Sequence, residues 1–510
     1  MKLDSVGEGS IAPSDAEPAE QFDTEKYDRI EDNDFLAVMQ HPLSTFAIDV
    51  DTASYANVRR FLNAGQLPPT DAVRIEELVN YFPYRYEPPT AEEPFSVHTE
   101  LTDCPWAAGH WLLRIGLKGK VIERDQRPPS NLVFLIDVSG SMQSPDKLPL
   151  LQQALILLAE QLTSADRVAI VVYAGNSGLV LPSTPGDQHG RIIGAIQQLR
   201  AGGSTNGGAG IELAYRIATE SFIPDGTNRV ILATDGDFNV GVTSTGELTR
   251  LIETQSASGV YLSTLGFGTG NYGDATLEQL ADCGNGNYAY IDGIDEAQKV
   301  LVEQLSGTLV TIAKDVKIQI EFNPAKVAEY RLIGYENRLL RADEFNDDRR
   351  DAGEIGAGHT VTALYELVPS GGERQAMYVD PLKYQAPSKE WTTIASEDFC
   401  TLKLRYKGPD WVTSRLLEHE LRNPPQSFDA ASMDHRFAAA VAAFGMLLRH
   451  SPHAGQADWT DIAAMARKAG GDDPIGRRSE FVQLVHQAAS LDLARERSGG
   501  TELANSGGRD

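Results

Sequence analysis

Cysteine is scarce, with only Cys104, Cys283 and Cys400 in 510 residues. No CxxC spacing occurs, so neither a thiolate zinc site nor a disulfide framework is indicated. The three read as small buried hydrophobes, with one disulfide left open. Long apolar runs are missing too. No window reaches the ~18–20 residues that a membrane-spanning helix needs, so no transmembrane segment is expected in this chain. A basic start followed by an apolar run is absent, so no signal peptide is expected in it either. Positive charge is the minority sign: 45 Lys+Arg against 72 Asp+Glu give a net charge of −27. Such a surface repels phosphate backbones and anionic lipids, which excludes nucleic acid as a natural partner. The ten His are scattered without HExxH or HxH spacing, so a histidine-based metal hydrolase has no support.

What is present suits a multidomain globular protein. The apolar fraction is 41%, and the length suggests roughly three domains. Residues 1–35 carry many acids and almost nothing apolar, and read as a disordered acidic tether. Residues 36–94 read as a helical N-terminal region: Tyr55, Val58, Phe61 and Leu62 share one helical face after Thr52, and Asp71 opens a second helix. Residues 95–130 hold two strands that join a later β domain. From 131 to 306, buried strands alternate with helices, beginning with the apolar run NLVFLID. That order implies α/β architecture, a doubly wound, mostly parallel sheet. Residues 307–408 switch to a period of two and read as an antiparallel β-sandwich-like domain. Residues 425–497 form a helical tail with stripes at Phe437, Val441, Phe444 and at Phe481, Leu484, Val485.

One constellation carries chemistry. The first buried strand ends in Asp137-Val138-Ser139-Gly140-Ser141, and ligands of open α/β sheets bind at such carboxyl ends. One carboxylate and two hydroxyls from a single tight turn are hard oxygen donors, suited to Mg²⁺, Mn²⁺ or Ca²⁺. Thr205, in a Gly-rich loop opening a helix, and Asp235, at the end of RVILATD, converge on the same edge.

Asp137-x-Ser139-x-Ser141, Thr205 and Thr234-Asp235-Gly236 resemble the metal-ion-dependent adhesion site of von Willebrand factor A domains. The resemblance covers about 131–306. It implies that Ser139 and Ser141 ligate directly, Thr205 directly or through water, and Asp137 and Asp235 largely through waters. A remaining position would take an acidic side chain of a partner protein. Beyond this domain, LSTFAIDVDTASYANVRRFLN, VRIEELVNYF, RPPSNLVFLIDVSGSM and LATDGDFNVGV resemble the bacterial envelope proteins of the YfbK type. That family implies a cell-envelope location, periplasmic or surface, with a lipid anchor that this chain lacks. A cytoplasmic location stays compatible with the sequence.

Other readings are weaker. Asp49-Val50-Asp51-Thr52 is similar to the aspartyl-phosphatase motif but lacks its final Thr, and a helix cap explains it. Asp343, Glu344, Asp347, Asp348 and Asp351 form a solvated acidic loop without EF-hand order. The expected function is therefore a metal-dependent protein-binding module rather than an enzyme. The alternatives are a Mg²⁺-supported hydrolase, which would need an acid/base group that the motif segments lack, and a structural scaffold with an unused metal site.

Overall fold

The computed structural model describes residue 27 and residues 29–48, 51–90, 93–123, 126–174, 177–203, 208–236, 245–268, 274–303, 310–350, 352–371, 396–409 and 411–506. Two short strands, β1 (Leu36–Ala37) and β2 (Leu43–Ala47), precede helices α1 (Ala53–Asn63) and α2 (Ile75–Asn80). Strands β3 (Phe95–Asp103) and β4 (Trp111–Gly119) follow. The alternating region then runs β5 (Ser130–Asp137), α3 (Leu148–Ala159), β6 (Arg167–Tyr173), β7 (Ser177–Pro185), α4 (His189–Gln197) and α5 (Gly208–Glu220). It continues with β8 (Thr227–Thr234), α6 (Thr245–Ala257), β9 (Val260–Phe267), α7 (Asp274–Cys283), β10 (Tyr288–Ile291) and α8 (Ile294–Gln298). A π-helical turn over Lys299–Glu303 prolongs α8.

These strands form one sheet in the order β10-β9-β8-β5-β6-β7, parallel throughout except for β7, which runs antiparallel to β6. Every residue of β5 is buried. Leu132, Phe134 and Ile136 pack with α3 and α4, whereas Val133 and Leu135 pack with α5 and residues of α6 and α7. The alternation of a strand thus feeds two cores, each buried side chain contributing on the order of 1.5–3 kcal/mol. β5 lies between β6 and β8, so the chain leaves it in opposite directions. This is the topological switch point, where strand ends diverge and leave room for a ligand.

After it come β11 (Thr311–Phe322), β12 (Val327–Ile333), β13 (Ile355–Gly356), β14 (Thr360–Pro369), β15 (Cys400–Lys407) and β16 (Arg415–Leu421). One antiparallel sheet has the order β1-β12-β14-β4-β3; the other has β13-β11-β15-β16, with β2 along β11. Their inner faces share a core that includes Phe46, Ile115, Ile318, Tyr365 and Leu404. Because β4 pairs with β14 and carries β3 on its other side, the α/β unit sits inside the chain path of the sandwich. Helices α9 (Met433–Leu448), α10 (Trp459–Lys468) and α11 (Arg477–Ser506) close the chain and pack with α1 and α2.

Three sequence expectations are corrected, and one strand that the sequence pattern did not announce is added. Residues 36–94 are not wholly helical, because β1 and β2 join the sandwich; Phe46 is fully buried there, and pairing with β11 decides the conformation. The sandwich does not end at 408 but includes β16. The segment Ser177–Pro185 is an edge strand, a position that tolerates its Pro182 and Pro185. The tether reading fails for residues 32–35. Asp32 pairs with Arg449, Asn33 donates to the carbonyls of Leu332 (3.1 Å) and Gly334 (2.9 Å), and Phe35 packs edge-on against His110 and His453. A few well-placed polar groups anchor a segment whose apolar content alone could not. Residues 1–26 and 28 of the proposed tether lie outside the described residues.

The α/β unit is fastened to the helices by buried charge. The Arg59 guanidinium on α1 donates to Asp292 (2.7 and 2.5 Å) and to Glu296 (2.8 Å). Lys299 (3.0 Å) and the Tyr81 hydroxyl (2.8 Å) also donate to Glu296. Glu480 of α11 accepts from Arg59 at 3.4 Å.

Candidate metal centre

Asp137 is the last residue of β5 and is completely buried. Its Oδ1 accepts from the Ser139 amide at 2.8 Å, and its Oδ2 accepts from the Thr234 hydroxyl at 3.2 Å. The carboxylate therefore bridges the ends of β5 and β8. Burial pushes its pKa above the usual carboxylate range, with Asp235 adding to the rise, against the lowering by hydrogen bonds from Ser139 and Thr234. The Ser139 and Ser141 hydroxyls lie 2.9 Å apart, in hydrogen-bond contact. A one-turn 3₁₀ helix at Gly140–Gln143 holds them on the same side of the turn.

Two backbone hydrogen bonds bring the next loop alongside. Gly202 N donates to Val138 O at 2.7 Å, and Gly140 N donates to Gly203 O at 3.1 Å. Gly203 has φ of +95°, a conformation that favours glycine. Thr205 itself lies outside the described residues, so the structure brings together four of the five expected site residues.

Asp235 follows β8 and is buried. Its Oδ2 accepts from Lys147 Nζ at 2.9 Å. Its Oδ1 is also buried and has no hydrogen-bond partner among the described residues. An orphaned carboxylate oxygen is expensive unless something positive meets it. Two acids face one lysine here, and the hydroxyls of Ser139 and Ser141 stand close by. This donor chemistry fits a hard divalent cation: oxygen ligands, one unsatisfied carboxylate oxygen and a net negative charge. Among the described residues no group of three or more His, Cys, Asp or Glu could hold a metal, so the hydroxyls are essential to the fit.

Lys147 escaped the sequence reading. A signal existed: it stands at the start of α3, where the helix dipole disfavours a cation, so an acid elsewhere had to hold it. Its stem passes against Gly268, which has φ of +77°; a Cβ there would come within 2.2 Å of the lysine Cε. Asp51, from the phosphatase-like motif, accepts from the Tyr288 amide at 3.0 Å and thus ties α1's approach to β10. Asp49 lies outside the described residues. In the acidic loop, Asp343 pairs with Arg341, Asp347 with Arg349, and Asp348 accepts from Ser414. Asp351 lies outside the described residues. None of the three cysteines is in a disulfide.

Comparison with known proteins is consistent with this architecture. The family model "von Willebrand factor type A domain" matches residues 131–304, "von Willebrand factor" matches 21–114, and "Uncharacterized protein YfbK, C-terminal" matches 307–491. The Escherichia coli (strain K12) protein "Uncharacterized protein YfbK" is 48% identical over 472 residues, spanning 91% of this chain and 81% of that one. The chain belongs to the YfbK family of von Willebrand factor A proteins. Inter-alpha-trypsin inhibitor heavy chain H4 of Homo sapiens is 33% identical over 274 residues, 50% of this chain but 28% of its own length. The solved structure "von Willebrand factor type A from Catenulispora acidiphila" aligns over 76% of this YfbK-family chain and 90% of its own, at 15% identity and a TM-score of 0.41. The fold assignment rests on the sheet order and the family models rather than on that alignment. A von Willebrand factor A domain is a protein-interaction module, and the YfbK-family chain carries one between the two parts of its sandwich. No helix among the described residues is long and apolar enough to cross a membrane.

Proposed function

We propose that the chain is a metal-dependent protein-binding module of the bacterial cell envelope, which takes an acidic side chain of a partner protein through a Mg²⁺ ion, or Mn²⁺ or Ca²⁺ in its place. Asp137, Ser139, Ser141, Thr205 and Asp235 would hold the ion. The observation that carries this reading is the buried Oδ1 of Asp235, which has no hydrogen-bond partner among the described residues, at the same sheet edge as two clustered hydroxyls. The bound cation would supply a positive Lewis-acidic centre for a carboxylate. The chain's own residues do the rest. Asp137 fixes the turn through the Ser139 amide, Thr234 locks the two strand ends together, and Lys147 neutralises Asp235 on the side facing α3.

The hydrolase reading is the weaker one. Lys147 is a basic group that the motif segments alone did not reveal, but its side-chain nitrogen is buried and engaged by Asp235 at 2.9 Å rather than open to a substrate. A third reading, a scaffold with an idle site, leaves the orphaned Asp235 oxygen unexplained.

The test is capture from envelope extract by the immobilised full chain in Mg²⁺ and again in EDTA, with Ser139→Ala beside it. Partners retained in Mg²⁺ and lost both in EDTA and with Ser139→Ala support the proposal. Retention unchanged by EDTA and by the substitution rejects it.

A further inference from the structure

The sandwich, the α/β unit and the C-terminal helices meet around a cavity of about 560 Å³, none of whose lining residues belongs to the metal centre. That volume falls within the ~300–1,000 Å³ typical of small-molecule sites. Its polar lining is unevenly satisfied. Lys299 shares Glu296 at 3.0 Å, and Arg477 shares Glu303 at 2.6 Å. Lys118, at the end of β4 and half-buried, donates to the Gly358 carbonyl at 2.6 Å and has no carboxylate partner among the described residues. His359, just before β14, has a fully buried Nε2 with no hydrogen-bond partner among the described residues.

Burial pushes the His359 pKa down to about 4, with Lys118 and Lys299 adding to the fall, so the ring is neutral and both lysines are close to it. A neutral imidazole can donate one N–H. The cavity therefore offers one cation without a carboxylate partner among the described residues, beside a neutral ring whose free nitrogen is covered. In a chain of net charge −27, a sheltered lysine without an acid is unusual. The rest of the wall includes Phe82, Val121, Ile122 and Ile475.

We propose that this cavity binds a small organic acid, its carboxylate held by Lys118 beside the neutral His359 ring and its apolar body laid against Phe82, Val121 and Ile122. One unpaired cation matches one negative charge. Glu303 in the wall, and Glu296 behind Lys299, oppose a phosphate dianion. The carboxylate belongs either to a free acid or to the C-terminus of a peptide, which present the same chemistry.

The experiment uses the full chain in EDTA, so that it stands apart from the metal-bridged reading. Hexanoate, hexanol, inorganic phosphate and a Leu-Leu dipeptide with a free carboxylate are titrated by calorimetry. In parallel, an alkyl carboxylate bearing a diazirine is photo-crosslinked to the wild-type chain and mapped by mass spectrometry. The expected result is saturable hexanoate or dipeptide binding on the order of 1–10 mM or tighter. Hexanol and phosphate should bind at least about tenfold more weakly, and Lys118→Met should lose about tenfold. The crosslink should fall on residues 118–122, 357–360 or 475–477. The stronger of hexanoate and dipeptide tells the free acid from the peptide end. Absence of saturable carboxylate binding, equal binding of hexanol, or a crosslink elsewhere overturns the proposal. If Lys118→Met does not fold, the wild-type crosslink and the hexanol comparison decide.

Discussion

At the junction of α1, α8 and α11, Arg59 and Lys299 meet Asp292 and Glu296 in a network of ion pairs and hydrogen bonds. At the carboxyl edge of the central sheet, Lys147 pairs with Asp235, while Asp137 is held by neutral donors and Asp235 Oδ1 has no hydrogen-bond partner among the described residues. Both places are buried, and both bring charge under the surface at a desolvation cost of several kcal/mol per ion. The junction balances its charges with the chain's own residues, and such a network fixes how two units sit together. The sheet edge stops one positive charge short. A protein that tolerates this shortfall at the switch point of its sheet, where ligands of α/β folds bind, has left room for a cation from solution.

The largest effect should come from breaking the balanced side. Arg59→Ala leaves Asp292 and Glu296 with too few partners, and the expected loss is about 3–5 kcal/mol in urea denaturation. Mg²⁺ binding by the folded fraction should not change. A loss near zero would mean that the junction is no lock, and the contrast with the metal edge would dissolve.

Lys147→Met sharpens the other side. Without metal, Asp235 then has no cation at all, and a loss of about 1–3 kcal/mol is expected in EDTA. Saturating Mg²⁺ should restore most of it, because a ligand that binds only the folded chain stabilises by mass action. Asp235→Asn should also lose stability in EDTA, because Lys147 is then buried with only an amide oxygen to meet it, but it should gain little from Mg²⁺. If Mg²⁺ stabilises both variants equally, Asp235 does not face the ion.

The smallest effect concerns a group that is buried without charge at all. The His359 pKa is about 4 in the folded chain, against an ordinary value near 6.5. Between those values the unfolded chain binds the extra proton, so stability rises with pH through this window and falls as pH drops from ~6.5 toward 4. His359→Gln should flatten that part of the stability curve. An unchanged slope would place the acid sensitivity elsewhere.

Much of this was legible in the residues. The apolar run of β5 announces a strand covered on both faces, and the oxygen-rich residues after it stand at the one edge where α/β sheets take ligands. Asp137, Ser139, Ser141 and Asp235 come together because β5 and β8 are neighbours, which alternating strands and helices already suggest. Lys147 was harder to see, because its partner is remote in sequence and only the tertiary fold shows that an acid waits for it. The strands β1 and β2 were hidden for a related reason. They are too short to declare a period, and pairing with β12 and β11 makes them strands. β7 was hidden by its prolines, which an edge accepts and a central strand would not. The cavity at Lys118 and His359 was invisible, since the residues around it are spread from 52 to 477 and no local pattern links them.

The central claim, a divalent ion at the end of β5, is tested most directly by titrating the intact chain with Mn²⁺ and following free Mn²⁺ by electron paramagnetic resonance. The account expects one saturable site per chain, displaced by Mg²⁺ and weakened at least about tenfold by Asp137→Ala, with the fold retained as judged by circular dichroism. No saturable Mn²⁺ at millimolar concentrations, or a site that Asp137→Ala leaves untouched, would contradict it.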